Sequence, residues 1–150
     1  MAPTDTTTSL NGSPEPGLDL RIANETRRMF GQHAQLRAFF DLVREGLERN
    51  SLQATRLAFT RFRDAIEAHM DVEDNSYFPA LRGLRPHLAP QLAQLVLDHA
   101  SNREHLEELH ELLARGSAEE FLRLFARFCD AFAVHEAREE ALASVKNGDN

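Results

Sequence analysis

From residue 22 to residue 142 the apolar residues recur at alternating steps of three and four, the rhythm of helices that bury one face. The first stretch carries Ile22, Met29, Phe30, His33, Leu36, Phe40, Val43 and Leu47, with Thr26 filling one gap. The second carries Phe59, Phe62, Ile66, His69 and Glu73, and the third Leu92, Leu95, His99, Asn102, Leu106, Leu109 and Leu113. The fourth runs Phe121, Phe125, Phe128, Phe132, His135, Glu139, Leu142. Turn-forming residues separate them at Asn50-Ser51, Gly83 to Pro86 and Gly116-Ser117. Ser117 followed by Glu120 reads as a capping box opening the last helix, and Pro79 is expected to kink or fray the end of the second. Short connections make neighbours antiparallel. The predicted fold is all-α, an antiparallel up-down-up-down four-helix bundle over residues 18–147. Residues 1–17, rich in Thr, Ser, Pro and Gly, are assigned to a disordered tail.

The pattern also repeats. A shift of 66 residues aligns His33 with His99, His69 with His135 and Glu73 with Glu139, and 14 of the 42 positions in 33–74 are identical to their partners in 99–140. The register has no gap. The bundle is therefore expected to be two similar helical hairpins about a pseudo-twofold axis.

Composition narrows the class. The chain has 150 residues, a net charge of −7 and 42% hydrophobic residues, enough to bury a core without disulfides. Its one cysteine, Cys129, forms no internal disulfide, so nothing calls for an oxidising compartment. No apolar run approaches the roughly 18 residues of a membrane span, and no secretory signal is legible, so a cytoplasmic location is expected. The acidic balance argues against sequence-independent nucleic-acid binding.

The seven histidines change the picture most. In a hairpin, residues equidistant from the turn lie level. His33 and His69 are centred on Ser51, His99 and His135 on Ser117, and His69 and His99 on Leu84, inside the third break. Each turn is about 27 Å or less along the helix from its histidine. All four histidines should sit at one height facing inward, with Glu73 and Glu139 one turn beyond on the same faces. A single seam histidine is more often a satisfied core residue, and one His-x-x-x-Glu is more often a surface pair. Six such groups at one level are different, because four imidazoles and two carboxylates in a core carry a severe desolvation cost unless a cation compensates.

A pair of metal ions meets that need. Without thiolates the site is neither a Cys-type zinc site nor an iron–sulfur site. Four imidazoles and two carboxylates suit iron, with zinc and manganese as competitors. Six protein ligands leave open positions on two ions, where a small molecule can bind, and about two uncompensated positive charges on two Fe(II) favour oxygen-based anions. The Glu-x-x-His pairs of ferritin-like sites are absent from the seams.

Single His33, then His69-Met-Asp-Val-Glu73-Asp74 with Tyr77-Phe78-Pro79 behind it, then His99, then His135-Glu-Ala-Arg-Glu139-Glu140 resembles the hemerythrin-like, HHE cation-binding family over about residues 20–145. The resemblance implies His33, His69, His99 and His135 as terminal ligands of two iron ions. It also implies Glu73 and Glu139 as bridges between them, beside a solvent-derived oxo or hydroxo bridge. Oxygen-carrying members have a fifth histidine where this chain has Arg103, and they close with His-x-x-x-x-Asp where this chain has His-x-x-x-Glu. Arginine does not ligate. The resemblance thus points away from oxygen storage and towards a non-haem di-iron protein that binds or processes oxygen, nitric oxide or peroxide. The alternative is an iron- or oxygen-sensing or iron-handling module without turnover, acting through a separate protein partner. A purely structural bundle without metal is the third reading.

Other residues weigh less. Asn102 sits on a seam where its repeat partner is Leu36, and a pocket role competes with a tolerated core amide. Arg103 and Arg37 match across the repeat on the seam's flank, where surface salt bridges are the expectation. His105 lies on another helix face, His87 falls in a loop, and His110 lies about 16 Å beyond His99, so none of the three is expected to ligate. Tyr77 is expected to pack a helix end, Cys129 to be inert, and the Phe121 to Phe132 ladder to be core.

Overall fold

The computed structural model describes residues 17–144. Its helices are α1 (Leu18–Glu48), α2 (Leu52–Val72), α3 (Phe78–Leu84), α4 (Ala89–Ala114) and α5 (Ala118–Ala143). A π-helical turn, Glu73–Tyr77, joins α2 to α3, and a 3-10 turn, Pro86–Leu88, leads into α4. The segments from Leu52 to Leu84 make one continuous rod, so the molecule is an all-α four-helix bundle. Cross-helix pairs set the directions. Between α1 and α2, His33 meets His69 and Phe40 meets Phe62. Between α2 and α4, Arg63 meets Glu107 and Asp71 meets Arg103. Between α1 and α5, His33 meets Glu140 and Phe40 meets Phe132, so as one helix ascends its neighbour descends. Apart from Gly17, the expected tail lies outside the described residues, as do positions 145–147 of the expected bundle.

Both hairpin turns use the same backbone device. Asn50 (φ 54°) and Gly116 (φ 73°) take left-handed conformations one residue before Ser51 and Ser117, whose amides bond back to Gly46 O (3.0 Å) and Leu112 O (2.9 Å). Asn50 and Gly116 are repeat partners, so the symmetry extends through the turns. Ser51 then caps α2, its Oγ accepting from Ala54 N at 3.2 Å. The expected capping box at Ser117 does not form: its side chain makes no cap bond. Ser117 closes α4 with its own amide, and in that backbone setting (ψ 69°) its hydroxyl does not serve the first turn of α5.

Pro79 does not end the second rod, which was expected to kink or fray there. Proline lacks an N–H and its ring crowds the carbonyl four residues back. The wider π turn just ahead of it accommodates both, and the rod runs on to Leu84.

The core falls into two apolar blocks with a polar layer between them. One block, towards the hairpin turns, includes Leu36, Phe40, Phe59, Phe62, Ile66, Leu106, Phe121 and Phe125. The other includes Ile22, Met29, Tyr77, Phe78, Leu81, Leu92 and Leu95. His33, His69, Glu73, His99, His135 and Glu139 are all buried as well.

Candidate metal centre

The four histidines meet in two pairs. His33 Nε2 lies 3.2 Å from His69 Nε2, and His99 Nε2 lies 2.9 Å from His135 Nε2. Glu139 serves both pairs, with Oε2 at 3.3 Å from His33 Nε2 and Oε1 at 3.5 Å from His99 Nε2 and in close contact with His135 Nε2. Glu73 Oε1 also spans them, at 2.8 Å from His69 Nε2 and 3.7 Å from His99 Nε2. Two groups, His33/His69/Glu139 and His99/His135/Glu139, each bring three donor atoms within 4.8 Å of one another, close enough to hold an ion. All six residues expected from the sequence are thus brought together.

An outer ring fixes which nitrogen faces inward. His69 Nδ1 pairs with Gln32 Oε1 at 2.7 Å and His99 Nδ1 with Asp74 Oδ1 at 2.6 Å. His135 Nδ1 pairs with Asp98 Oδ2 and His33 Nδ1 with Glu140 Oε1, both at 3.4 Å. These oxygens accept, so each Nδ1 donates, and a neutral ring then turns its Nε2 lone pair inward. Lone pairs facing each other at about 3 Å repel unless a cation lies among them. Both carboxylate oxygens of Glu73 and Oε1 of Glu139 are likewise buried without a hydrogen-bond partner. Buried acceptors with no donor are what a bound cation satisfies. The residues present fit a metal pair.

The site's charges point the same way. Burial, then the negative charge of Glu139, pushes the Glu73 carboxyl up to about 11. Burial acts against ionising Glu139 too, but in the metal-free site the neighbouring His135, His33 and His99 rings outweigh it and hold its carboxyl far below the usual range. Burial pulls His69 down to about 4. It also opposes charge on His33 and His135, yet Glu139 with the outer carboxylates raises both. Without metal the site keeps its balance with protons. A cation that enters must displace them.

Sequence reasoning missed the outer ring, although the repeat contains it. Gln32 and Asp98 are repeat partners, as are Asp74 and Glu140, and each member of a pair serves the histidine equivalent to its partner's. Asp74 and Glu140 stand in the motif without an evident role, and nothing in the spacing marks Gln32 or Asp98. These positions differ in type while conserving an acceptor oxygen.

Arg103 is more than a surface salt bridge. Its guanidinium grips Asp74 Oδ2 at 3.2 Å and Asp71 Oδ1 at 2.9 Å, so it steadies the carboxylate that holds His99. Arg37 donates to the backbone carbonyl of His33 at 3.4 Å. Asn102 is buried with Nδ2 unpartnered. Phe78 stacks on His99 and Phe132 on His135, ring centroids 5.5 and 5.8 Å apart, which keeps water from those flanks. Tyr77 bonds Thr26 Oγ1 at 2.6 Å and ties the π turn to α1. His87, His105 and His110 are exposed and stand outside the cluster. Burial pushes the Cys129 thiol up to about 12, leaving it protonated.

The hemerythrin HHE cation-binding domain matches residues 24–143, most of the chain. The protein belongs to that family of cation-binding bundles. No curated protein and no solved structure matches the chain. Among the described residues, no helix is long and apolar enough to cross a membrane.

Proposed function

We propose that the protein is a non-haem di-iron protein that binds or processes a small ligand, namely oxygen, nitric oxide or a peroxide. In this reading His33 and His69 would hold one ion and His99 and His135 the other, with Glu73 and Glu139, which reach both histidine pairs, as the shared carboxylates. The observation that carries it is the inward convergence of four Nε2 lone pairs on two carboxylates, one of which, Glu73, has both oxygens buried and unpartnered. Iron supplies electron exchange with the small ligand; zinc and manganese remain weaker candidates for the same donors.

The chain's own residues set the conditions for that exchange. Gln32, Asp74, Asp98 and Glu140 hold the rings in register, so little rearrangement accompanies a change of charge at the centre. Phe78 and Phe132 exclude water from the His99/His135 side. A groove of about 220 Å³ between α1 and α2, lined by Gln32, Gln35, Leu36, Ala65, Ala68, His69 and Val72, leads to His69. That size suits a ligand of a few heavy atoms.

The test is stopped-flow absorption of reduced, iron-loaded protein mixed separately with oxygen, nitric oxide and hydrogen peroxide. A saturable spectral change with at least one of them, lost in His69→Ala, supports the reading. No change with any of the three refutes it.

A further inference from the structure

The pseudo-twofold axis relates the α1/α5 groove to the α2/α4 groove, and the two are chemically unlike. On the α2/α4 side the positions are Glu67, Met70, Asp71, Asp74, Arg103 and Leu106, and Arg103 closes that side by bonding Asp71 and Asp74. On the α1/α5 side their partners Ala133, Glu136, Ala137, Glu140, Arg37 and Phe40 line an open groove of about 230 Å³. The largest departure is Glu136, which stands where the repeat has the fully buried, apolar Met70. Glu136 is only 7% exposed, and its Oε1 is buried with no partner. A carboxylate in that position costs stability unless something positive visits it.

We propose that Glu136 and Glu140 form a third cation site, which takes a hard divalent ion such as Fe(II) or Mn(II) from solvent and passes it towards the centre beside His33. The inference rests on the metal-centre reading above. Glu140 Oε1 and Glu136 Oε2 approach His33 Nδ1 at 3.4 and 3.8 Å, while His33 Nε2 faces the centre, so one imidazole ring separates the two sites. Carboxylate oxygens with water completing the shell suit hard divalent ions. Arg37 opposes a cation here. Its charge and that of His33 act on Glu136, but among the described residues Arg37 forms no ion pair and its one hydrogen bond is to the His33 carbonyl. With the centre filled and His33 neutral, two carboxylates against one guanidinium leave the groove negative. Glu140 is half-exposed, which makes it the outer contact, and buried Glu136 the inner one.

The experiment compares wild type with Glu136→Met, which restores the residue the repeat carries at its equivalent position, and with Glu136→Gln, which keeps the side chain's size and removes its charge. Mn(II) is titrated into iron-loaded full-length protein and counted by electron paramagnetic resonance. Fe(II) uptake by the metal-free chain is followed by stopped flow. Wild type should bind one Mn(II) beyond its filled centre, and both variants should lose it. Both should also fill the centre to the same endpoint as wild type at a rate roughly tenfold lower, as expected when a focusing charge is removed. Arg37→Gln should tighten the extra Mn(II). Equal Mn(II) binding and equal uptake rates in wild type and both variants would overturn the third site while leaving the centre intact. No iron uptake by wild type at all would overturn the metal-centre reading and this inference with it.

Discussion

His99 donates its Nδ1 proton to Asp74 at 2.6 Å, and that bond joins α4 to the π turn that follows α2. The other oxygen of Asp74 is held by Arg103. A chain of three side chains thus runs from the surface to the centre, and each link orients the next. The equivalent link in the other half, Glu140 to His33, is 3.4 Å long and lacks an arginine on its carboxylate among the described residues.

Asp74→Ala should therefore weaken metal binding by about 10–100-fold, the usual consequence of removing a ligand's outer partner. Arg103→Ala should weaken it less, because Asp74 keeps its bond to His99. Competition against a chromogenic chelator measures both. Unchanged affinity in Asp74→Ala would show that the outer bond does not tune His99.

Glu73→Gln should move metal-free and metal-loaded protein in opposite directions. The folded Glu73 carboxyl is raised to about 11, so its contribution to stability is present below the ordinary value of 4.5 and is lost as pH rises from there. At pH 7 the metal-free fold bears that cost, and glutamine, which mimics the protonated acid, removes it. Thermal unfolding of the metal-free variant at pH 7 should rise by about 2–8 °C, for a gain of order 1–2 kcal/mol. Iron affinity should fall sharply.

His69 adds the opposite slope. Its folded value, about 4, lies below the ordinary 6.5, so metal-free protein loses stability as pH falls through that interval. In wild type the gain from Glu73 partly masks this loss, and Glu73→Gln should unmask it. Unfolding midpoints of the metal-free variant between pH 7 and 4 should fall more steeply than those of wild type. Parallel curves would contradict the assignment of these two groups.

Gly46→Ala should destabilise the bundle without altering metal stoichiometry. A Cβ at Gly46 would lie 2.7 Å from Thr55 Oγ1, 2.9 Å from its backbone N and 3.0 Å from its Cα. Alanine's helix propensity favours the change by about 1 kcal/mol. Overlap with backbone costs about 1–3 kcal/mol, because α2 must move as a whole, and the overlap should win. Gly31→Ala, with open space around its Cβ, gives the control and should gain up to about 1 kcal/mol. Denaturant unfolding of both variants checks the pair.

The fold and the six inner residues were legible because helical periodicity and hairpin arithmetic act on spacing alone. His33, His69, His99 and His135 needed only their distances from Ser51, Leu84 and Ser117 to be placed at one level. Side-chain reach was not legible. Whether Asp98 or Asp74 turns towards a histidine depends on rotamers and on the angle between helices, and neither leaves a period in the sequence. The π turn escaped notice for a related reason. Pro79 marked a disturbance, but whether a helix breaks or widens depends on what packs beside it, here Tyr77 against Thr26. Ser117 misled because a Ser-x-x-Glu pattern does not disclose the backbone angle at the serine: Ser51, at ψ 98°, caps α2, whereas Ser117, at ψ 69°, does not cap α5.

The central claim is a pair of metal ions held by six side chains at one level of the bundle. Its most direct test is native mass spectrometry of the full chain after anaerobic reconstitution with Fe(II) and removal of excess metal. The account predicts two iron ions per chain, and none in the double variant Glu73→Ala, Glu139→Ala that still folds as a helical bundle. A wild-type chain that retains no iron, or only one ion whatever the Fe(II) supplied, would contradict it.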